Sequence, residues 1–250
     1  MIKFRDLDHR YESIIPDNRV WKGVTTTLKK YKEEFPTMDR SESCSIKPDS
    51  PWFGIPPEEI RAIWKSESTR STLLGSWYHE MREKELGSAN TSPTVNDWKF
   101  ALPQKIQTGV YPEMIIYHPE YSICGQSDKI ECIENVINVG DYKTSKKIDR
   151  KGFRGKKMLG PLSHLDDCEL NTYTLQLSLY MKMLLFHNPD KKPGKLTIEH
   201  VKFQIKEYNK YGYPIHNRTI DGGYVVESIE YIECPYLEKE AELILGSLKQ

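Results

Sequence analysis

The segment GQSDKIECIENVINVGDYKTS, Gly125 to Ser145, holds the residues of this chain best spaced to do chemistry. Apolar and polar residues alternate on both sides of Glu134-Asn135, the pattern of two strands joined by a tight turn. A turn there sets Ile133 against Val136 and, counting back along both strands, Asp128 against Asp141. Side chains alternate faces along a strand, so Asp128, Ile130 and Cys132 share one face with Ile137, Val139, Asp141 and Lys143. Most of that face is apolar, and its far end carries two acids and a lysine. Opposed residues hold their Cβ atoms about 4.5–5.5 Å apart, so two carboxylates need a cation between them. Lys143 supplies one charge, and a hard divalent ion shared by both carboxylates fits better. Alone, the same pattern also fits a surface ion cluster at a strand end.

Three other segments add to that pair. In STLLGSWYHEMREKEL, Gly75, His79 and Glu83 recur every fourth residue and form one stripe of a helix. Gly75 allows close backbone approach one turn before His79. The imidazole is a candidate ligand that would favour Mn2+ over Mg2+, or else a solvated histidine. The string HEMRE lacks the second histidine of HExxH, so a zinc-protease site is not indicated. On the helical stretch Tyr173–His187, Gln176 and Tyr180 lie one turn apart, and an amide in so apolar a helix needs hydrogen-bond partners. The loop Ser145–Lys157 carries Lys146, Lys147, Arg150, Lys151, Arg154, Lys156 and Lys157 against Asp149 alone. It follows Lys143 directly, which predicts a basic strip beside the acid pair, suited to a phosphodiester backbone. Phe153 could stack on a base, and the two glycines let the strip adapt.

These residues need a scaffold. Residues 1–35 read as short strand and helix pieces, with Val24–Phe35 helical in composition. Residues 36–56, rich in Ser, Pro and charge, read as a surface loop. Pro56-Pro57-Glu58-Glu59 starts a helix that runs, with a break expected near Thr69, to a stop at Gly87. Strands are expected between Glu113 and Thr144, at Leu196–Tyr208 and at Tyr224–Tyr231, with a closing helix after Pro235. That order predicts an α/β fold, a mixed central sheet flanked by helices. The organisation expected is one domain over 1–250: an N-terminal extension and loop to 55, a core over 56–235, and a terminal helix over 236–250.

The 250 residues include 36 Lys+Arg and 36 Asp+Glu, with 38% hydrophobic and 29% charged. This is a foldable composition, not a disordered one, and zero net charge excludes a uniformly basic nucleic-acid coat. No apolar run reaches the roughly 20 residues of a membrane helix, and the opening MIKFRDLDHRYE has no apolar signal core. Cys44, Cys124, Cys132, Cys168 and Cys234 are scattered without a CxxC, which argues against a zinc ribbon or iron–sulfur cluster and for reduced thiols. A cytoplasmic location, that of the host if the chain is viral, is the resulting expectation.

Asp128 followed by Asp141-Tyr142-Lys143, written GQSD…DYK, resembles the signature of the PD-(D/E)XK nuclease superfamily. The strings GSWYHEMRE around His79 and QLSLY from Gln176 to Tyr180, with His9-Arg10-Tyr11 and Val24-Thr25 near the start, resemble its RecB-like, phage-type exonuclease branch. The resemblance implies a restriction-endonuclease-like core and divalent-metal hydrolysis of DNA with Mg2+ or Mn2+. It implies metal ligation by His79, Asp128, Asp141 and the Tyr142 carbonyl. Lys143 would orient water and stabilise charge, and Gln176 and Tyr180 would stand near the scissile strand. Glu113 would hold a second metal or its water. Asp141 stands where the family usually has Glu, and the cysteines of its iron–sulfur members are absent. The expected activity is exonucleolytic, in phage-type replication, recombination or repair. A structure-specific endonuclease and a non-catalytic DNA-binding module on the same scaffold are the alternatives.

Overall fold

A computed structural model describes residues 1–15, 17–87 and 89–249. The fold is α/β, with mixed sheets flanked by helices. Strands β1 (Ile2–Arg5) and β2 (Arg10–Ser13) open the chain. A short β3 (Lys22–Gly23) then leads straight into α1 (Val24–Lys29). Helices α2 (Thr37–Ile46) and α3 (Pro57–Leu86) follow, then β4 (Thr94–Val95) and β5 (Trp98–Phe100). The central strands are β6 (Gly109–His118), β7 (Ile123–Ile133) and β8 (Val136–Lys143). After α4 (Glu169–His187) come β9 (Lys192–Phe203), β10 (Ile205–Tyr208), β11 (Pro214–His216), β12 (Val226–Cys234) and α5 (Glu238–Gly246).

The main sheet has six strands: β12-β9-β8-β7 in order, with β6 along one edge of β7 and β3 at the start of its other edge. The β8–β9 and β3–β7 pairings are parallel, the rest antiparallel. The hairpin register is the one the turn at Glu134-Asn135 predicts, from Ile133 opposite Val136 to Lys129 opposite Gly140. The ladder ends there. Beyond it β8 stays with β9 through Lys143, while β7 runs down to meet β3 at Ile123-Cys124. The two strands therefore part at Asp128 and Asp141 and leave an open fork.

The apolar face predicted for the hairpin forms the floor of the core. Ile130, Cys132, Ile137 and Val139 are buried against Leu177, Met181 and Leu184 of α4. Helix α4 is apolar around most of its circumference because α1, the sheet and α5 enclose it. The opposite face, with Tyr142, Val201 and Phe203, is covered by Leu74 and Tyr78 of α3. A second sheet, β2-β1-β5-β4, packs through Ile2 and Phe4 on Ile115 and Cys124.

Four expectations about the scaffold change. Residues 37–46 form α2 rather than loop. TMDRSESCSI has no apolar stripe to betray a helix, and its tie is tertiary: Arg61 Nη1 of α3 donates to Ser41 Oγ at 2.8 Å. Helix α3 runs unbroken for 30 residues. Its Thr69 and Thr72 hydroxyls donate to the carbonyls of Lys65 and Ser68 at 3.0 Å, so they accommodate the helix instead of ending it. The stop at Gly87 holds, at φ 83°. Helix α1 ends at Lys29, short of Phe35. The expected Leu196–Tyr208 strand splits at Gln204, and β10 turns back as a hairpin with β11.

Candidate active site

Asp128 and Asp141 sit at the fork, both buried, at 7% and 1% exposure. Asp128 Oδ2 accepts the Tyr142 N–H at 2.6 Å, in place of the ladder bond lost where the strands part. Its other oxygen lies 3.5 Å from His79 Nδ1. Asp141 stands on the β8 side of the fork. One oxygen pairs with Lys143 Nζ, and the other accepts from Gln176 Nε2 at 3.3 Å. Gln176 Nε2 also lies 3.1 Å from the Tyr180 hydroxyl as donor, which answers the need of a buried amide for partners. Lys143 Nζ stands 4.6 Å from the centre of the Tyr173 ring, a cation–π contact that fixes its direction.

Glu113 completes the group by an unusual route. The β6–β7 register pairs Pro112 with Lys129 and Met114 with Ser127, which leaves Glu113 beside Asp128. Its φ is 47°, in the left-handed region inside a strand. That conformation costs about 1–3 kcal/mol for a residue with a side chain, and here it falls where the carboxylate turns to the fork. Glu113 Oε1 reaches His79 Nδ1 at 3.1 Å, and Oε2 accepts from Gln126 Nε2 at 2.8 Å. The ligand atoms of His79, Glu113 and Asp128 lie within 4.8 Å of one another. One imidazole nitrogen and two carboxylates suit a divalent ion such as Mn2+ or Mg2+. The atoms that converge are those of His79, Glu113 and Asp128, while Asp141 is engaged by Lys143 and Gln176.

Two glycines lie where elements of the site approach closely. A Cβ on Gly75 would stand 3.3 Å from Thr144 Oγ1, so α3 lies close to the end of β8, one turn before His79. A Cβ on Gly125 would stand 2.6 Å from Tyr180 Cε1, closer than atoms can pack. Gly125→Ala is expected to displace the Tyr180 ring and destabilise the protein by about 1–3 kcal/mol, measurable by urea unfolding. Wild-type stability would show that Tyr180 has room to move.

The electrostatics follow from crowding acids in a buried place. Burial by itself lowers the His79 pKa. The charge of Asp128, the hydrogen bond and charge of Glu113, and Asp141 outweigh it and bring it from 6.5 to about 9. Burial, then the charge of Asp141, pushes the Asp128 carboxyl well above 3.8. Burial lowers the Lys143 pKa, but Asp141 and Asp128 reverse this and raise it. A charged His79 contributes stability that is full below its unfolded pKa of 6.5 and lost as pH rises through about 9. The melting temperature of the protein in EDTA is therefore expected to fall between pH 6.5 and 9. Mn2+, which takes the place of the His79 proton, is expected to remove that fall. A flat profile in EDTA would show that His79 is not held charged.

These groups open into a cleft of about 1390 Å³. His79, Asp128, Asp141, Lys143, Gln176 and Tyr180 line it on one side. The N-terminal segment lines the other, including His9, Arg10, Tyr11, Val24 and Thr25 of the strings that resemble the exonuclease branch. Arg19, Trp21, Lys22 and Lys29 also face it, and sequence reading did not single them out. Their signal was a cation–aromatic pair, Arg19 over Trp21 at 5.3 Å, in a segment too short to show periodicity. Lys22 and Lys29 form no ion pair among the described residues.

The basic loop is placed differently from expectation. None of Lys146, Lys147, Arg150, Lys151, Arg154, Lys156 and Lys157 lines the cleft. Lys147 pairs with Asp149, Arg150 with Glu230, Lys156 with Glu33 and Lys157 with Asp166, at 2.5–3.4 Å. Acids distant in sequence offset much of the local positive charge. All five cysteines are free. Among the described residues no helix is long and apolar enough to cross a membrane. No protein-family model matches this chain, and no curated protein matches its sequence.

Proposed function

We propose that this chain is a divalent-metal-dependent deoxyribonuclease of the PD-(D/E)XK type, acting as an exonuclease. The observation that carries the reading is the convergence of separate elements on one fork. Helix α3 brings His79, β6 brings Glu113, β7 brings Asp128, β8 brings Asp141 and Lys143, and α4 brings Gln176 and Tyr180. A pure binder of DNA gains nothing from three carboxylates beside the phosphates, so the acid–acid–lysine set supports catalysis.

His79, Glu113 and Asp128 would hold the ion, Mg2+ or Mn2+. The chemistry such an ion supplies when bound is polarisation of a phosphoryl oxygen and acidification of water. The remaining work falls to the chain. Lys143 presents positive charge where a phosphodiester gains negative charge on the way to cleavage. Asp141 keeps that ammonium in place, and Gln176 keeps Asp141 in place while engaging Tyr180. The Tyr142 N–H sets the direction of the Asp128 carboxylate. In the opposite wall, Lys22, Lys29 and Arg19 meet the phosphates that flank the scissile one.

The test uses end-labelled linear duplex and closed circular DNA, each with Mg2+ or Mn2+. An exonuclease degrades the linear form and leaves the circle intact. Cutting of the circle would replace this reading with an endonuclease, and mobility shifts without any cutting would leave only a binding module.

A further inference from the structure

A second pocket, of about 410 Å³, opens between α3, the end of β9 and the β10–β11 hairpin. The catalytic residues do not line it. Its walls are apolar and aromatic: Leu74, Val201, Phe203, Tyr213, Ile215 and Tyr224. Its rim is cationic, with Arg70, Lys146, Lys202 and Arg218 against the single acid Glu227. Arg70 is committed to Glu67 and to the Pro214 carbonyl, so it anchors β11. Arg218 lies flat over Tyr224, its Cζ 3.6 Å from the ring centre. Lys146 and Lys202 are exposed and form no ion pair among the described residues. Ile205 and Ile215 remain 40% and 38% exposed at the mouth. The volume falls in the range of small-molecule sites. An apolar, aromatic pocket with two unpaired lysines at its rim, Lys146 and Lys202, fits a ligand with a planar ring and a negative charge.

The pocket shares two elements with the fork. Strand β8 ends at Lys143, and Thr144, Ser145 and Lys146 pass directly into the pocket wall. Helix α3 gives Leu74 to the pocket and His79 to the fork. Those two positions are five residues apart, about 7.5 Å along the helix axis.

We propose that this pocket receives a base and its phosphate from the DNA strand whose scissile phosphate lies at the fork. The proposal rests on the nuclease reading for its place on the strand. The base lies against the Phe203–Tyr213–Tyr224 wall, and Lys146 and Lys202 meet the phosphate.

The experiment is run in EDTA, where binding is read without cleavage. Deoxyadenosine monophosphate is titrated into the full chain, and methyl resonances of Leu74, Val201, Ile205 and Ile215 are followed by NMR. A short single-stranded oligodeoxynucleotide is then titrated against wild type, Ile215→Glu, and Lys146→Glu with Lys202→Glu. The expected result is selective shifts at those methyls and affinity at least about fivefold weaker in both variants, the lower end of what one stacked base contributes. Charge reversal weakens any DNA contact, so the mononucleotide shifts and Ile215→Glu carry the decision. Unmoved methyls together with wild-type affinity in Ile215→Glu overturn the proposal. Cleavage of linear DNA by wild type in Mg2+ is scored separately. Cleavage with an unresponsive pocket overturns the pocket and keeps the nuclease. A responsive pocket without cleavage keeps the nucleotide site and overturns the nuclease.

Discussion

Asp128→Asn is expected to slow metal-dependent DNA cleavage by about 10³-fold, some 4 kcal/mol of transition-state stabilisation. Asn keeps an oxygen that can accept the Tyr142 N–H, the bond that now spans 2.6 Å. The fork should therefore keep its geometry and the circular dichroism stay unchanged. What disappears is one of the two carboxylates that gather with His79 into the candidate ion site. Affinity for Mn2+ should fall along with the rate. Removing that charge also removes the largest influence raising the His79 pKa, so the imidazole becomes easier to deprotonate. A variant cleaving within a few-fold of wild type, with unchanged Mn2+ affinity, would take Asp128 out of the chemistry.

Lys143→Met carries the other large effect, and it acts on two quantities at once. Met matches the length of the lysine stem but brings no charge to the phosphate, so cleavage should slow by about 10²–10³-fold. The Asp141 side chain, 2% exposed, is left without its partner. Breaking a buried pair on one side costs about 3–5 kcal/mol, so the variant in EDTA should unfold at clearly lower urea. Replacing both partners, Lys143→Met with Asp141→Asn, should recover much of that stability and none of the activity. This separates the lysine's work on the substrate from its work in holding the fold. Full activity in Lys143→Met would show that no charge is needed at that position.

The hairpin was legible because it depends only on near neighbours. Strand alternation and the turn at Glu134-Asn135 determine which residues face the core, and the pairing of Lys129 with Gly140 follows from them. Gln176 was legible because a polar residue in so apolar a helix needs a partner, and Asp141 is one. Other features depend on residues far apart in the chain. The left-handed backbone at Glu113 is stabilised by contacts with His79 and Gln126, and nothing in GVYPEMIIYH announces it. The basic loop looked free because Glu33, Asp166 and Glu230, which pair with it, lie elsewhere in sequence. Helix α2 looked like loop because its serines and Asp39 favour caps and turns until Arg61 and the packing of Trp52 on Trp64 tie the segment to α3. Residues 1–35 read only as short strand and helix pieces. Yet β3 lies parallel to the start of β7 and so draws Trp21 and Lys22 to the wall facing the catalytic groups.

The most direct test is release of label from end-labelled linear DNA by the purified chain, first in EDTA and then with Mg2+ or Mn2+ added. Release that requires the ion, and that Asp128→Asn does not support, is the result this account predicts. DNA left whole by stoichiometric protein in both ions, or cut equally well in EDTA, would contradict it.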